Sequence, residues 1–184
     1  RGGSATVHFP IWHKEIRDII VLKNNKGTED NRVRKLDYSI QLSKLFYERF
    51  ITNQKITLFS PHDVPGLYDS FGTESFDELY TRYESDESIP KTSIDAQELI
   101  LDILKERAET GRLYLMNIDH CNSHSSFLDK VNMSNLCQEI TLPTKPLSHI
   151  DDPDGEIALC ILSAINVGKI NRLDELEDLC DLSV

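Results

Sequence analysis

Residues 134–140, read as SNLCQEI, contain the side chains best suited to chemistry in this chain. In an extended strand alternate side chains share a face, so we expect Asn135, Cys137 and Glu139 to project together, about 6.5 to 7 Å apart. A carboxylate can accept a hydroxyl proton, an amide can orient a neighbouring hydroxyl, and a sulfur can react covalently or by hydrogen-atom transfer. The three groups together suit work on a polyhydroxylated substrate.

Two other interpretations of this stretch remain open. An amphipathic strand whose polar face meets water would place Cys137 there without a chemical role. A hydrolytic cysteine needs a cationic neighbour such as His to form its thiolate, whereas a nearby carboxylate such as Glu139 discourages ionisation. The arrangement therefore favours a neutral thiol.

Three further segments contain residue types that can bind or react. Cys160 lies in an apolar run, residues 156–162, which is typical of a strand buried on both faces and indicates a core thiol. The cluster at 119–124 (DHCNSH) matches no closed tetrahedral ligand set, so we predict a polar loop and no metal site. Arg1, followed by two glycines, could contact a nucleotide or belong to a frayed terminus.

The elements that must position these residues alternate between strands and helices, which predicts an α/β fold. The pattern of apolar residues predicts strands or extended segments over 5–11, 56–59, 113–118, 136–142 and 156–167. Helical spacing predicts helices over 16–22, 36–50 and 71–83, one capped by Thr92 or Ser93 and ended by Gly111, and a last one opened by Asn171. No repeat or linker divides the chain, so we predict a single unit, residues 1–184.

Composition excludes some classes of function. The chain has 184 residues, with 20 Lys and Arg against 31 Asp and Glu, a formal net charge of −11. This acidic balance argues against a nucleic-acid-binding surface, although a local anion site stays possible. No apolar stretch is long enough for a membrane span. The four cysteines include no CxxC pair, and no signal sequence is recognisable, so we expect a cytoplasmic protein with free thiols.

Several motifs resemble consecutive blocks of the large catalytic subunit of aerobic, class I ribonucleotide reductase. The matching blocks are residues 9–13 (FPIWH), 22–25 (LKNN), 56–67 (ITLFSPHDVPGL), 119–122 (DHCN), 134–137 (SNLC) and 155–160 (GEIALC). The resemblance implies an α/β barrel of ten strands, built from two five-stranded halves, with a central finger loop. The chain would be the central part of that catalytic barrel, truncated at both ends.

The resemblance also implies a role for each candidate residue. Cys137 would carry a thiyl radical that abstracts the 3′ hydrogen of a ribonucleoside diphosphate. Glu139 would accept the 3′-hydroxyl proton, and Asn135 would hydrogen-bond the ribose hydroxyls. Cys160 would be one member of a redox-active cysteine pair whose partner lies outside the chain. Arg1 would contact the nucleotide.

Partners follow from the same resemblance. The chain would bind no cofactor, because a metal-containing small subunit supplies the radical and an external dithiol, thioredoxin or glutaredoxin, supplies electrons. Nucleoside triphosphate effectors and a large-subunit homodimer belong to the intact enzyme, which makes DNA precursors. We expect the chain alone to be inactive and to expose apolar surface that missing strands would cover. The alternative is a non-catalytic α/β interaction module with inert cysteines.

Overall fold

A three-stranded parallel sheet lies within the first of two units into which the computed structural model divides, Arg1–Thr144 and Lys145–Val184. The structure describes residues 2–26 and 28–183. The strands are β1 (Thr6–Pro10), β2 (Asp37–Leu42), β3 (Lys55–Phe59), β4 (Lys91–Asp95) and β5 (Tyr114–Asn117). The parallel sheet has the order β1-β2-β5, and β3 pairs with β4 in an antiparallel sheet. The predicted α/β class is confirmed, while the described residues form no closed barrel.

Helices connect these strands. They are α1 (Ile16–Ile20), α2 (Lys44–Ile51), α3 (Leu67–Ser70), α4 (Phe76–Ser85), α5 (Ala96–Thr110), α6 (Ile118–Ser123) and α7 (Glu175–Ser183). Short 3-10 helices cover Glu29–Asn31, Pro61–Asp63 and Val167–Lys169. Within the described part of the chain, no helix combines the length and the apolar character that a membrane crossing requires.

The predicted helix over residues 36–50 is wrong in its first half, which forms β2. Tyr38, Ile40 and Leu42 alternate with Ser39 and Gln41, and all five are buried. Two parallel neighbours, β1 and β5, satisfy the backbone groups of this strand. The segment is therefore a central strand. Its alternation has period two, but the four-residue spacing of Leu36 and Ile40 also fits a helical stripe that continues into α2.

The predicted N-cap of the long helix is also wrong. Thr92 and Ser93 lie in β4, and the cap of α5 is Asp95, whose side chain accepts hydrogen bonds from the backbone N–H groups of Gln97 and Glu98 at 2.9 and 3.3 Å. A carboxylate at this position also interacts favourably with the positive end of the helix dipole. The predicted end of the helix is confirmed, because Gly111 follows Thr110 with a positive φ of 64°.

Aromatic side chains fill the space beside the parallel sheet. Phe46 of α2 contacts the rings of Phe71, Phe76 and Tyr80 at centroid distances of 5.6 to 6.2 Å, mostly edge to face. The Tyr80 hydroxyl donates to the Thr57 carbonyl at 2.7 Å and accepts from the Thr57 N–H at 2.8 Å. This pairing satisfies a buried phenol and ties α4 to β3.

The second unit contains little regular structure. Lys145 and Glu156 form an isolated bridge, and α7 begins at Glu175, four residues after the predicted start at Asn171. The predicted strand over 156–167 is wrong: apolar side chains in it are largely exposed, with Leu159 at 84% and Ile161 at 95%. A strand needs hydrogen-bonded neighbours, and no described strand pairs with this segment. That missing strands would cover these side chains stays a prediction.

Gly72 allows a close approach between two parts of the first unit. Its φ is 88°, and a Cβ atom there would lie 2.8 Å from Ile118 Cγ1 and 2.9 Å from Asn122 Nδ2. Gly66 also has a positive φ, 76°, but a Cβ atom there would meet nothing within 4 Å. Alanine substitutions at the two positions can therefore distinguish the cost of a positive φ, which both share, from the cost of crowding, which only Gly72 has.

We predict that Gly72→Ala lowers the free energy of unfolding by about 2 to 4 kcal/mol and Gly66→Ala by about 1 kcal/mol. Both alanines carry the cost of a positive φ, and only the first also displaces packed side chains. Urea titrations followed by circular dichroism measure the two values. Equal losses in the two variants would show that no crowding exists at Gly72.

Candidate active site

The segment that contains the three predicted catalytic residues is a loop closed by its own hydrogen bonds. The Gln138 N–H donates to the Asn135 carbonyl at 3.2 Å, and Gln138 has a φ of 64°. The Asn135 Oδ1 atom accepts from the Ile140 N–H at 3.1 Å. The predicted extended segment over 136–142 is therefore wrong at its start, because the backbone reverses over residues 135–138.

Asn135, Cys137 and Glu139 lie in this turn and immediately after it, so a turn replaces the strand face that the alternation predicted. Cys137 and Glu139 are exposed, and Asn135 is half-buried. The side chain of Asn135 uses its oxygen within the loop. Among the described residues its amide nitrogen donates to no protein group. The catalytic roles of these residues stay predictions.

The polar face of β1 and β2 supports the segment that leads into the turn. The Thr6 hydroxyl donates to the Leu136 carbonyl at 2.7 Å, and His8 Nε2 lies 3.1 Å from the Ser134 carbonyl oxygen. Gln41 Nε2 donates to the Asn132 carbonyl at 2.6 Å. Sequence reasoning did not find these residues as part of the site. The signal for two of them was available, since Thr6 and His8 are the polar members of the alternation in β1.

A further contact holds the chain after the cysteine. Gln138 Nε2 donates to the hydroxyl oxygen of Ser39, which is fully buried in β2. This bond ties the residue with the left-handed backbone conformation to the sheet, and it offsets part of the strain of a positive φ at a residue that is not glycine.

His8 is a half-buried titratable group beneath the loop. Burial lowers its pKa below the ordinary value of 6.5, and the hydrogen bond to the Ser134 carbonyl opposes this change. Its Nδ1 atom is buried and has no partner among the described residues. Because a carbonyl can only accept, the Nε2 atom must carry the proton that is donated to Ser134.

Asn122 fixes the start of the segment. Its Nδ2 group donates to the carbonyls of Ile118 and Val131 at 2.8 and 3.0 Å, and its Oδ1 accepts from the Val131 N–H at 2.8 Å. Val131 is fully buried. The Asn122 side-chain amide therefore hydrogen-bonds both the N–H and the carbonyl of Val131, the residue at which the segment reaches the sheet.

The predicted polar loop at 119–124 is wrong, because these residues form α6 and its C-terminal end. Burial, together with the charge of Asp119, raises the pKa of the half-buried Cys121 thiol. Asp119 also accepts a hydrogen bond from the Lys44 N–H at 2.7 Å, at the start of α2. In the described part of the chain, no group of three or more His, Cys, Asp or Glu residues is arranged to hold a metal ion.

A cleft of about 320 Å³ adjoins the loop. Its volume is near the lower end of the range for small-molecule sites. Its lining includes polar groups from α6 and from the loop, together with the side chain of Met116 from β5. The residues that line it are Leu115, Met116, Asn117, His120, Cys121, Ser134, Gln138 and Thr141.

Two predicted site residues do not belong to the described part of the first unit. Cys160 belongs to the second unit, where it is exposed in an irregular segment, so the prediction of a buried strand thiol is wrong. The reason is the one given for residues 156–167, the absence of a pairing strand among the described residues. Arg1 lies outside the described residues. The redox role of Cys160 and the nucleotide contact of Arg1 stay predictions.

The fold and the loop define an α/β protein whose parallel sheet supports an exposed cysteine in a tight turn. Residues 1–184 match the family model described as the ribonucleotide reductase barrel domain. The chain therefore belongs to the ribonucleotide reductase barrel domain family, as its sequence motifs predicted.

Curated relatives with high identity agree with this assignment. The ribonucleoside-diphosphate reductase subunit alpha of Buchnera aphidicola subsp. Schizaphis graminum is 57% identical over 189 residues, covering 100% of this chain and 25% of the relative. The subunit alpha of Haemophilus influenzae is 57% identical over 179 residues, covering 95% of this chain and 24% of the relative. The ribonucleoside-diphosphate reductase 1 subunit alpha of Escherichia coli is 56% identical over 153 residues, or 80% and 20%. The chain spans about a quarter of the length of the first two relatives.

We predict that His8 titrates below 6.5 in the folded chain, as a carbon-detected or proton NMR titration of the imidazole would measure. A His whose pKa is lowered by folding binds its proton more weakly in the folded state than in the unfolded state. The free energy of unfolding should therefore fall as the pH drops below 6.5. His8→Gln should remove the His8 part of this slope, and an unchanged slope would contradict the assignment.

We predict that Cys121 reacts with iodoacetamide at pH 8 more slowly than Cys137, Cys160 or Cys180. Only the thiolate reacts, so the raised pKa of Cys121 leaves a smaller reactive fraction, and partial burial adds to the effect. Peptide mass spectrometry measures the four rates. Asp119→Asn removes a nearby negative charge and should accelerate Cys121 alone. Faster labelling of Cys121 than of Cys137 would contradict the prediction.

Proposed function

We propose that this chain is part of the catalytic barrel of a ribonucleoside-diphosphate reductase large subunit, and that Cys137 is its radical-bearing residue. The observation that carries the proposal is an exposed cysteine in a loop anchored on a parallel sheet, in a chain of the ribonucleotide reductase barrel family. Relatives at 57% identity are named ribonucleoside-diphosphate reductase subunit alpha. The reaction reduces ribonucleoside diphosphates to 2′-deoxyribonucleoside diphosphates.

In this reaction Cys137 removes a hydrogen atom from the ribose 3′ carbon, which converts its thiyl radical to a thiol. Glu139 accepts the 3′-hydroxyl proton and returns it to the 3′ oxygen later in the same turnover, and the 2′-hydroxyl leaves as water. The two electrons and the protons for this loss come from a cysteine pair that becomes a disulfide. We assign Cys160 to that pair, with its partner outside this chain. Cys137 then returns the hydrogen atom to the 3′ carbon and is a thiyl radical again.

The loop geometry supports a specific role for Asn135. Its Oδ1 atom is occupied by the Ile140 N–H, so its NH₂ group is the part that can meet a ligand. That group is a donor only, which suits the oxygen lone pairs of ribose hydroxyls. Glu139 is exposed two residues from Cys137 and is therefore accessible to a ligand.

The finer features of the fold belong to the same proposal. We assign the parallel sheet to a ten-stranded barrel, residues 131–140 to its central finger loop, and residues 1–184 to one truncated part of the barrel. In the longer protein, neighbouring strands would cover the exposed apolar side chains of the second unit. This covering would place Cys160 in the protected surroundings that radical chemistry requires.

Partners follow from the proposed reaction. A metal-containing small subunit supplies the radical, and an external dithiol such as thioredoxin or glutaredoxin reduces the disulfide. Nucleoside triphosphates act as effectors on a large-subunit homodimer. The nucleotide contact assigned to Arg1 belongs to the same proposal.

The test uses the full-length large subunit that contains this segment. We expect Cys137→Ser to abolish turnover completely, because a hydroxyl cannot replace the thiol in hydrogen-atom transfer. We expect Cys160→Ser to consume the small-subunit radical, followed by electron paramagnetic resonance, while forming no deoxynucleotide. Cys180→Ser is the matched control and should leave turnover unchanged, since Cys180 is exposed on α7.

Retained turnover in the Cys137→Ser variant would overturn the proposal and leave the interaction module as the alternative. The purified 184-residue chain should reduce no nucleotide. Measurable reduction by that chain would contradict the assignment of the second redox cysteine to a different part of the protein.

A further inference from the structure

Three side chains on one face of the parallel sheet bind three alternate carbonyls of the segment before Cys137. Thr6 binds the carbonyl of Leu136, His8 that of Ser134, and Gln41 that of Asn132. Each acceptor is two residues from the next, and the acceptors are all main-chain oxygens. The three hydrogen bonds therefore fix the path of the backbone before Cys137. They use no side chain of the loop, so those side chains are free to contact a ligand.

The donors have the same spacing as the acceptors. Thr6 and His8 are two residues apart on β1, and Gln41 pairs in register with Pro10, the next residue on that face. Two residues of extended chain span about 6.6 Å, both along β1 and along the bound segment. The segment runs antiparallel to β1, and Gln41 supplies the third donor beside Pro10, whose side chain has no hydrogen-bond donor.

We propose that Thr6, His8 and Gln41 are positioning residues that set the register and the height of Cys137 above the sheet. We refer to these three residues as the donor ladder. The inference rests on the proposed role of Cys137, and it assigns to the ladder no contact with the substrate. Its effect on the reaction is to hold the sulfur where hydrogen-atom transfer to and from the ribose can occur.

The middle hydrogen bond, from His8 to the Ser134 carbonyl, requires one particular tautomer of the imidazole. Donation to Ser134 requires a proton on Nε2, and the buried Nδ1 has no acceptor among the described residues, so the form that fits is the neutral ring protonated on Nε2. The other tautomer would bury an N–H group without a partner and lose the bond to Ser134 as well. Burial, which lowers the pKa of the ring, favours the same neutral form.

The three hydrogen bonds of the donor ladder differ in burial. Gln41 is 1% exposed and contacts Met116 Sδ at 3.8 Å, so of the three donors it is the least accessible to water. His8 is intermediate, and the Thr6 bond lies at the exposed end of the ladder. A buried carbonyl that loses its donor stays unpaired, whereas an exposed one is hydrated. We therefore expect the effect of substitution to increase from Thr6 to His8 to Gln41.

The experiment compares variants of the full-length large subunit that differ only in donor capacity. Thr6→Val, His8→Leu and Gln41→Met remove one donor each with little change in size. Thr6→Ser and His8→Gln keep a donor at a similar position. Thr81→Val is the matched control, because the Thr81 hydroxyl donates to the Asp77 carbonyl at 2.6 Å on the exposed surface of α4.

We expect the donor-removing variants to lower kcat for deoxynucleotide formation by about 10-fold to 100-fold, with KM for the nucleotide nearly unchanged, since a displacement of about 1 Å is this costly. Thr6→Ser and His8→Gln should restore most of the lost kcat. Thr81→Val should leave kcat unchanged. A loss of kcat in the control, or the same loss in Thr6→Ser as in Thr6→Val, would overturn the ladder.

Hydrogen exchange supplies a measurement that does not depend on turnover. The N–H groups of Gln138 and Ile140 close the turn, so their exchange should accelerate when a rung is removed and stay unchanged in Thr81→Val. Unchanged exchange of these two N–H groups in all three donor-removing variants would overturn the inference. This measurement also applies to a variant that cannot be assayed for turnover.

Cys137→Ser, assayed in the same preparation, separates the two proposals. If Cys137→Ser abolishes turnover while the three donor-removing variants keep the wild-type kcat, only the donor ladder is overturned. If Cys137→Ser retains turnover, the proposed function itself is overturned, and the ladder with it.

Discussion

The parallel pairing of β1 and β2 is the interaction on which the rest of the first unit depends. It gives the sheet two unlike faces, because residues of opposite polarity alternate along both strands in matching register. Phe9 and Ile40 belong to the apolar core, while His8 and Gln41 meet the backbone of the cysteine loop. A shift of one residue in this register would exchange the two faces. The core and the candidate active site are thus fixed by the same set of backbone hydrogen bonds.

The sequence predicted the elements well where one periodicity dominated. The strand around Phe9 and the long helix that ends at Gly111 have strong local signals, and both are present. β2 was missed because two spacings overlap in it: residues 38–42 alternate with period two, while Leu36 and Ile40 also fit the helical spacing of the residues that follow. The N-cap was missed because three polar residues, Thr92, Ser93 and Asp95, can each cap a helix, and strand pairing with β3 decides among them.

The geometry that the alternation predicted for the candidate site is wrong, and the roles of its residues stay predictions. The motif around Cys137 pointed to the correct family, but the alternation suggested a strand where a turn exists. The turn depends on long-range contacts, with Thr6, His8 and Ser39 more than 90 residues away along the chain. No local pattern contains that information. Likewise, the apolar run around Cys160 predicts a buried strand, but burial needs neighbouring strands that the described residues do not provide.

The two hydrogen bonds between the Asn122 side chain and the Val131 backbone affect which parts of this fold can vary in length. The amide holds both ends of the intervening segment, so residues 123–130 form a closed excursion whose two ends meet at one side chain. Lengthening such a loop adds little entropic cost, because the cost grows only with the logarithm of its length. Insertions or deletions in 123–130 would therefore leave the path of the chain from Val131 onward unchanged. This surface can diverge among relatives while the cysteine stays in place.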